Sequence, residues 1–296
     1  MQQGTPSVSA IGAAAACAVH QLYDDPPKVL DDPVTPVLLA AAPGAIERAM
    51  QGPTPRDQPL TRTHLVVRQR FAEDELAAAV RRGIAQYVLL GAGADTFAYR
   101  QPPYATDLTV FEVDHPASQA WKRRALDAAG ITPPPNLRWA PIDFERQGLL
   151  AGLTAAGFDP ARPACFSWLG VTMFLTRPAV EATLRQVAGL PAPTTIVFSF
   201  ILSDDALPPE EAERKHTVIA RFERGDEPWL TLPPRRPARH PPRAGLPGRV
   251  PAHPRGSGRP LPHRAPRRDA EPPGGAGLPR HRLTAPRSAL PAAPSR

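Results

Sequence analysis

The stretch that most limits what this chain can become is Tyr87-Val-Leu-Leu-Gly-Ala-Gly-Ala-Asp-Thr96. An apolar run of strand length ends in Gly-x-Gly. The glycines let the backbone turn tightly and approach a ligand with no Cβ in the way. Alone this signal is weak, and the segments downstream of it give it value. Leu108–Val113 alternates toward Asp114, Leu137–Ile142 runs to Asp143, Ala164–Trp168 is apolar, and Thr194–Phe200 closes the series. Helical stretches intervene at Trp121–Ala129 and Pro178–Ala188. Short strands alternating with helices predict an α/β fold, a doubly wound parallel sheet with helices on both faces. The expected strand order is 3-2-1-4-5, with Gly91, Asp114 and Asp143 together at the C-terminal edge.

The residues before this rhythm are different in kind. Residues 13–24 suit a short helix ended by Asp24-Asp25-Pro26-Pro27. Residues 28–60 are broken by prolines and fit a small helical cap, which gives a cap over 1–62 and an α/β domain over 63–232. From Thr63 to Arg82 there is no proline or glycine. Leu65, Phe71, Leu76 and Val80 fall near one helical face there, with Glu73, Asp74 and Glu75 expected to point elsewhere.

The strand ends carry the chemistry. Asp114 lies 23 residues beyond Gly91, where a carboxylate can accept both ribose hydroxyls of an adenosine ligand. Asp143 can accept from an adenine amino group while Phe144 covers the ring. A dinucleotide site wants a third glycine at the position held by Thr96. That missing glycine, with the acid and aromatic after the third strand, favours S-adenosylmethionine. Taken singly, Gly91 and Gly93 also fit a bare turn, and Asp114 and Asp143 fit helix caps; together they stand in register with three strand ends.

Five segments carry a family resemblance: Arg68-Gln-Arg-Phe-Ala-Glu-Asp74, Tyr87 to Arg100, Phe111-Glu-Val-Asp-His-Pro116, Pro141-Ile-Asp-Phe-Glu145 and Ser167-Trp-Leu-Gly-Val-Thr-Met-Phe-Leu175. With their flanks, over roughly residues 13–231, the chain resembles the bacterial branch of the leucine carboxyl methyltransferase-like family of class I S-adenosylmethionine-dependent methyltransferases. The resemblance implies Arg68 on the donor's methionine carboxylate, Gly91 at its backbone, Asp114 at the ribose, and Asp143 with Phe144 at the adenine; Gly93, the second glycine of the Gly-x-Gly turn, is also expected at the cofactor. It implies methyl transfer to a carboxylate or hydroxyl oxygen of a small molecule. In some members an acid stands where this chain has Leu169 and contacts the donor, and that contact is missing here. A guanidinium fork matches a carboxylate, although a solvated helix arginine would read the same. His115 fits a cap of the following helix better than a general base, and His20 and His64 read as structural. No residue stands out as a base, which favours a carboxylate acceptor over a phenol.

Cys17 and Cys165 give neither a disulfide framework nor metal-ligand spacing, so free thiols in a reducing compartment and no metal are expected. The apolar stretch Ala10–Val19 has no basic residue before it and is far below the ~18 residues of a membrane span. The expectation is a cytoplasmic protein without a membrane anchor.

Composition matters at the C-terminus. Of 41 prolines, 17 lie in residues 233–296, with 14 arginines, no lysine and only Asp269 and Glu271 as acids. That segment carries +12; taken from the total of +7, it leaves −5 for residues 1–232. The basic pI of 10.1 therefore describes the tail. Binding of nucleic acid by this tail is the less favoured reading, because no aromatic is interleaved with the arginines. GC-rich codons for Leu232–Leu246 read one nucleotide later accommodate an amphipathic helix ending in Gly-Phe. A frame change near Thr231–Pro233 is therefore expected, leaving 233–296 a disordered Pro/Arg-rich tail. The sheet would then lack the last helix and antiparallel hairpin of the family. Two further functions stay open: donor binding without turnover, and a basic-tailed nucleic-acid binder.

Overall fold

The computed structural model describes residues 8–50 and 57–223, all within one unit, Met1–Ala238. Helices α1 (Val8–Tyr23), α2 (Val34–Leu38) and α3 (Ala45–Met50) precede the long α4 (Asp57–Arg81). Then come β1 (Gln86–Leu90), β2 (Thr109–Asp114), α5 (Pro116–Ala128), β3 (Leu137–Pro141), α6 (Leu149–Ala155), β4 (Cys165–Trp168), α7 (Arg177–Ala188), β5 (Thr195–Phe198) and α8 (Pro209–Glu223).

The five strands form one sheet in the order β3-β2-β1-β4-β5, and every pair is parallel. Side chains of a strand alternate between its faces, and the core divides accordingly. Val88 and Leu90 of β1 join Phe111, Val113, Phe166 and Trp168 beneath α6 and α7. Tyr87 and Leu89 join Val110, Cys165 and the α4 residues Leu76 and Ala79 on the other face. A third cluster packs Ala14, Ala15 and Ala18 of α1 with Leu38 and Leu39 against Leu126 of α5, which forms the cap. The alanine-rich α1 is suited to this position, since small side chains let helices approach closely.

The helix starts follow local chemistry. The His115 ring accepts from Ala117 N at 3.2 Å and Pro116 occupies the first turn of α5, as expected of a capping histidine. Thr176 caps α7 in the same way.

Three sequence expectations need correction. α1 starts at Val8, ahead of residue 13. In α4, Glu73 does not point away from the core: it is buried, and Arg100 neutralises it at 2.5 Å. Phe71, expected on the core face, is instead 54% exposed, because the buried stripe runs through Val66, Ala72, Leu76 and Ala79. A phenyl ring alone does not set the face of a helix when a buried ion pair competes for it. α6 and α8 lie outside the helical stretches expected from the sequence.

No strand follows β5 among the described residues, and β5 is the edge of the sheet. Its residues are only partly covered, and Phe198 (39%) and Phe200 (56%) are exposed, with ring centroids 5.9 Å apart. The expectations about residues 233–296 lie outside the described residues. No described helix is long and apolar enough to cross a membrane.

Candidate functional site

The strand register brings three predicted residues to one edge. Leu90 pairs with Val113 and Asp114 pairs with Pro141, so Gly91, Asp114 and Asp143 all lie at the C-terminal ends of adjacent strands. Gly91 N and Ala92 N both donate to Val113 O, at 2.8 and 2.9 Å, which turns the chain over the end of β2. Gly91 has φ +68°, and a Cβ there would collide with the Val171 side chain. Both the conformation and the close approach require glycine.

Asp114 is held from two sides. Its Oδ2 accepts from Gly93 N at 2.5 Å and its Oδ1 from His115 N at 2.7 Å. Burial pushes its carboxyl above the ordinary value, while these backbone bonds act in the opposite direction. The helix-cap alternative fails here, because the N-cap of α5 is His115. Each carboxylate oxygen keeps further acceptor capacity. Asp143 is different: its Oδ1 accepts from Glu145 N at 3.0 Å, and Arg146 Nε lies 3.6 Å from Oδ2. It caps a local turn at the end of β3. Phe144 is half-buried against Trp168, with centroids 6.1 Å apart.

Arg68 reaches the same region from the cap side. A Cβ on Gly170, just after β4, would come within 2.7 Å of its guanidinium, so the terminal nitrogens of the fork reach that glycine. Burial disfavours the charge of Arg68 and lowers its pKa. Among the described residues it has no ion pair and donates no hydrogen bond. α1 closes over the loop: Ala10 would lie 2.9 Å from a Cβ on Gly93. Further along α1, the Cys17 thiol feels the charges of Arg68, Asp32, Asp95 and Arg100, and burial raises it to about 12. Leu169 follows β4 directly and is part-buried.

Between β1 and β2 the chain forms no α-helix. It makes only two 3-10 turns, Phe97–Tyr99 and Pro103–Ala105. Thr96, which stands where a dinucleotide fingerprint has its third glycine, turns its side chain inward and bonds Asp32 at 2.6 Å. That bond belongs to a buried polar network that sequence patterns missed. The available signal was Asp95-Thr96 followed by Arg100, but its partners are 26 to 64 residues away.

His20 belongs to a structural triad. Its Nδ1 lies 2.7 Å from Asp24, whose carboxylate also takes a bidentate contact from Arg62 at 3.0 and 2.8 Å. This triad ties the end of α1 to α4. A pocket of about 220 Å³ opens beside it, lined by His20, Asp24, Val29, Thr63, Val66 and Val67. None of the predicted site residues lines it.

Several known proteins are similar to this chain over part of its length. A Frankia alni protein provisionally named an S-adenosyl-L-methionine-dependent methyltransferase is 35% identical over 190 residues, covering 62% of this chain and 60% of that protein. A Bacillus subtilis protein of the same provisional name is 36% identical over 136 residues, 46% of this chain and 44% of its own length. A Mycobacterium marinum protein so named is 33% identical over 199 residues, 62% and 64%. The chain thus spans roughly half to two thirds of the length of these relatives. A crystal structure of a DUF574 family protein from Streptomyces avermitilis superposes with a TM-score of 0.48 over 76% of this chain and 80% of that one, at 17% identity. The profile of the leucine carboxyl methyltransferases matches residues 10–188, a span that takes in the cap, the glycine loop and the first four strands, and the chain belongs to that family.

Proposed function

We propose that this protein is an S-adenosylmethionine-dependent methyltransferase acting on a carboxylate or hydroxyl oxygen of a small molecule. The observation that carries the reading is Arg68: a part-buried guanidinium, without an anionic partner among the described residues, over Gly170 at the edge where Gly91 and Asp114 meet. A buried cation is costly unless an anion meets it, and a donor carboxylate would supply one bidentately. The absence of a helix after the glycine loop argues in the same direction. A pyrophosphate is held at a helix N-terminus, and here there is none after β1.

In this reading the backbone of the Gly91–Gly93 turn, its missing Cβ positions taken up by Val171 and Ala10, would face the donor, and Asp114 would accept from the ribose hydroxyls. Asp143 would meet the adenine amino group, and Phe144 would cover the ring. S-adenosylmethionine, when bound, supplies a sulfonium-activated methyl group. The protein's part is to align the acceptor oxygen and exclude water, and α1, whose Ala10 lies against Gly93, would help to close the site. A carboxylate acceptor needs no base.

A second reading, donor binding without turnover, is favoured by the exposed Phe198 and Phe200 beside the edge strand. It goes with a proposed frame change near Thr231–Pro233. Restoring the frame by one nucleotide there would raise solubility and melting temperature; early stop codons in the other frame would dismiss the idea.

The test is titration calorimetry of the full chain with S-adenosylmethionine, S-adenosylhomocysteine, NAD and duplex DNA. The first two should bind and the last two should not. Asp114→Ala should weaken donor binding by about 2–3 kcal/mol, because ribose hydroxyls lose a charged acceptor. Unchanged affinity would remove Asp114 from the site. Methyl transfer from labelled donor across a panel of carboxylic acids and phenols separates the active reading from the silent one.

A further inference from the structure

Two left-handed glycines let the donor loop turn, but they do not hold it in one shape, since glycine carries the largest backbone freedom of any residue. Something else must fix residues 91–96. Gly91, Ala92 and Gly93 bond to the end of β2 through their backbone N–H groups, and Ala92 and Ala94 are apolar, so only Asp95 and Thr96 can tie the loop through their own side chains. Both are tied outside the sheet. Asp95 Oδ2 accepts from Gln69 Nε2 of α4 at 2.7 Å, and its Oδ1 accepts from Phe97 N at 2.7 Å. The Thr96 hydroxyl donates to Asp32 Oδ2 at 2.6 Å and lies 3.1 Å from the Thr35 hydroxyl.

Asp32 belongs to the cap. Its Oδ1 accepts from Thr35 N at 3.0 Å at the start of α2, and its Oδ2 also accepts from the Thr35 hydroxyl at 2.6 Å. Arg100 stands behind all of this. Its Nε donates to Thr96 Oγ1 at 3.2 Å and lies 3.4 Å from Asp32 Oδ1. Its two terminal nitrogens clasp Glu73 of α4 at 3.1 and 2.5 Å. The side chains of Arg100, Asp32 and Glu73 are all at most 10% exposed. Glu73 lies one helical turn and a residue beyond Arg68 on the same helix, and Gln69 follows Arg68 directly.

We infer that Arg100 is a positioning residue: through Thr96, Asp32 and Glu73 it locks the donor loop to the cap and to the helix that carries Arg68, so donor binding and cap position are coupled. The inference rests on the donor reading above. Arg100 touches none of the proposed contact residues Arg68, Gly91, Gly93, Asp114 or Asp143 in the described hydrogen bonds. It acts through geometry. A loop free to sample other shapes presents the Gly93 N–H to Asp114 only part of the time, and an apparent affinity falls by the competent fraction. Lysine cannot replace this arginine, because a single ammonium cannot reach Glu73 and the Thr96–Asp32 pair together.

The test uses the full chain with S-adenosylhomocysteine as the probe. Calorimetry gives affinity, and hydrogen exchange reads the amides of residues 34–38 in the cap and 91–97 in the loop with and without probe. In the wild type, binding should protect both segments. Thr96→Val keeps the volume and all charges but removes the hydroxyl link. It should bind the probe at least roughly tenfold more weakly, and it should protect the loop without protecting the cap. Thr96→Ser should restore both properties. Arg100→Lys should reproduce the Thr96→Val pattern, and Thr96→Val carries the test should the lysine variant not fold. If the wild type binds and Thr96→Val binds equally well with the cap still protected, the coupling is refuted while the donor reading stands. If the wild type does not bind the probe, the donor reading falls and the coupling falls with it.

Discussion

The centre of the sheet and its β5 edge are built in different ways. β1, the central strand, is buried along its whole length, and the loop that leaves it is gripped by Gln69, Asp32 and, through Thr96, by Arg100. At the edge β5 is covered only in part, and Phe198 and Phe200 face solvent. The centre spends buried polar groups, each needing a partner, to hold a particular loop shape. The edge presents apolar surface instead. The contrast teaches where specificity is placed: ion pairs add little net stability over apolar packing, so a buried network beside a candidate site indicates a demand for geometry.

The comparison can be broken most forcefully at Gly91. Alanine there must adopt a left-handed backbone at a cost of about 1–2 kcal/mol, and it must displace Val171 at about 1–3 kcal/mol. The melting temperature should fall by roughly 2–4 °C for each kcal/mol in a domain of this size, and donor binding should be lost. A folded Gly91→Ala protein with full affinity would show that the loop is not held as described.

Arg68 sharpens the same contrast from the opposite side. Arg68→Ala should cost about 2–3 kcal/mol of donor binding, roughly 30- to 150-fold. Because the guanidinium has no ionic partner among the described residues and burial disfavours its charge, thermal unfolding of the donor-free protein should not shift downward. A large loss of stability would make Arg68 a structural residue.

A smaller effect is expected in pH dependence. Glu112 is fully buried beside Lys122, whose Nζ lies 2.7 Å away, and burial raises its carboxyl to about 7. Its folded value lies above the unfolded one, so its share of stability is present below the ordinary glutamate range and is lost as pH rises through about 7. Melting temperature should decline by about 2–4 °C from this group between pH 5 and pH 8, if it is worth about 1 kcal/mol. Glu112→Gln should flatten that slope, whatever it does to the absolute value. An unchanged slope in differential scanning calorimetry would show that Lys122 compensates the charge across the range.

The smallest effect belongs to the β5 end. Phe200→Ser should change stability by no more than about 0.5 kcal/mol, as for other exposed positions, and should reduce concentration-dependent association in light scattering. A marked loss of stability would mean that this surface is covered in solution, and the difference between the centre and the β5 edge would disappear.

The order of the strands and the residues at their ends were determined by the sequence alone. Gly-x-Gly after an apolar run, Asp114 and Asp143 at the ends of two more, and period-two burial are local signals, and parallel pairing leaves few alternatives once they alternate with helices. The capping role of His115 was equally local. Only the tertiary structure decided what holds the glycine loop, because Asp32, the α4 residues Gln69 and Glu73, and Arg100 come from three separate stretches of the chain. It also decided that Glu73 is buried and Phe71 is not, since a charged residue goes inside only where a distant partner meets it. The position of Arg68 against Gly170 was set in the same way: helical periodicity put it on a face, but the loop after β4 determined what that face meets.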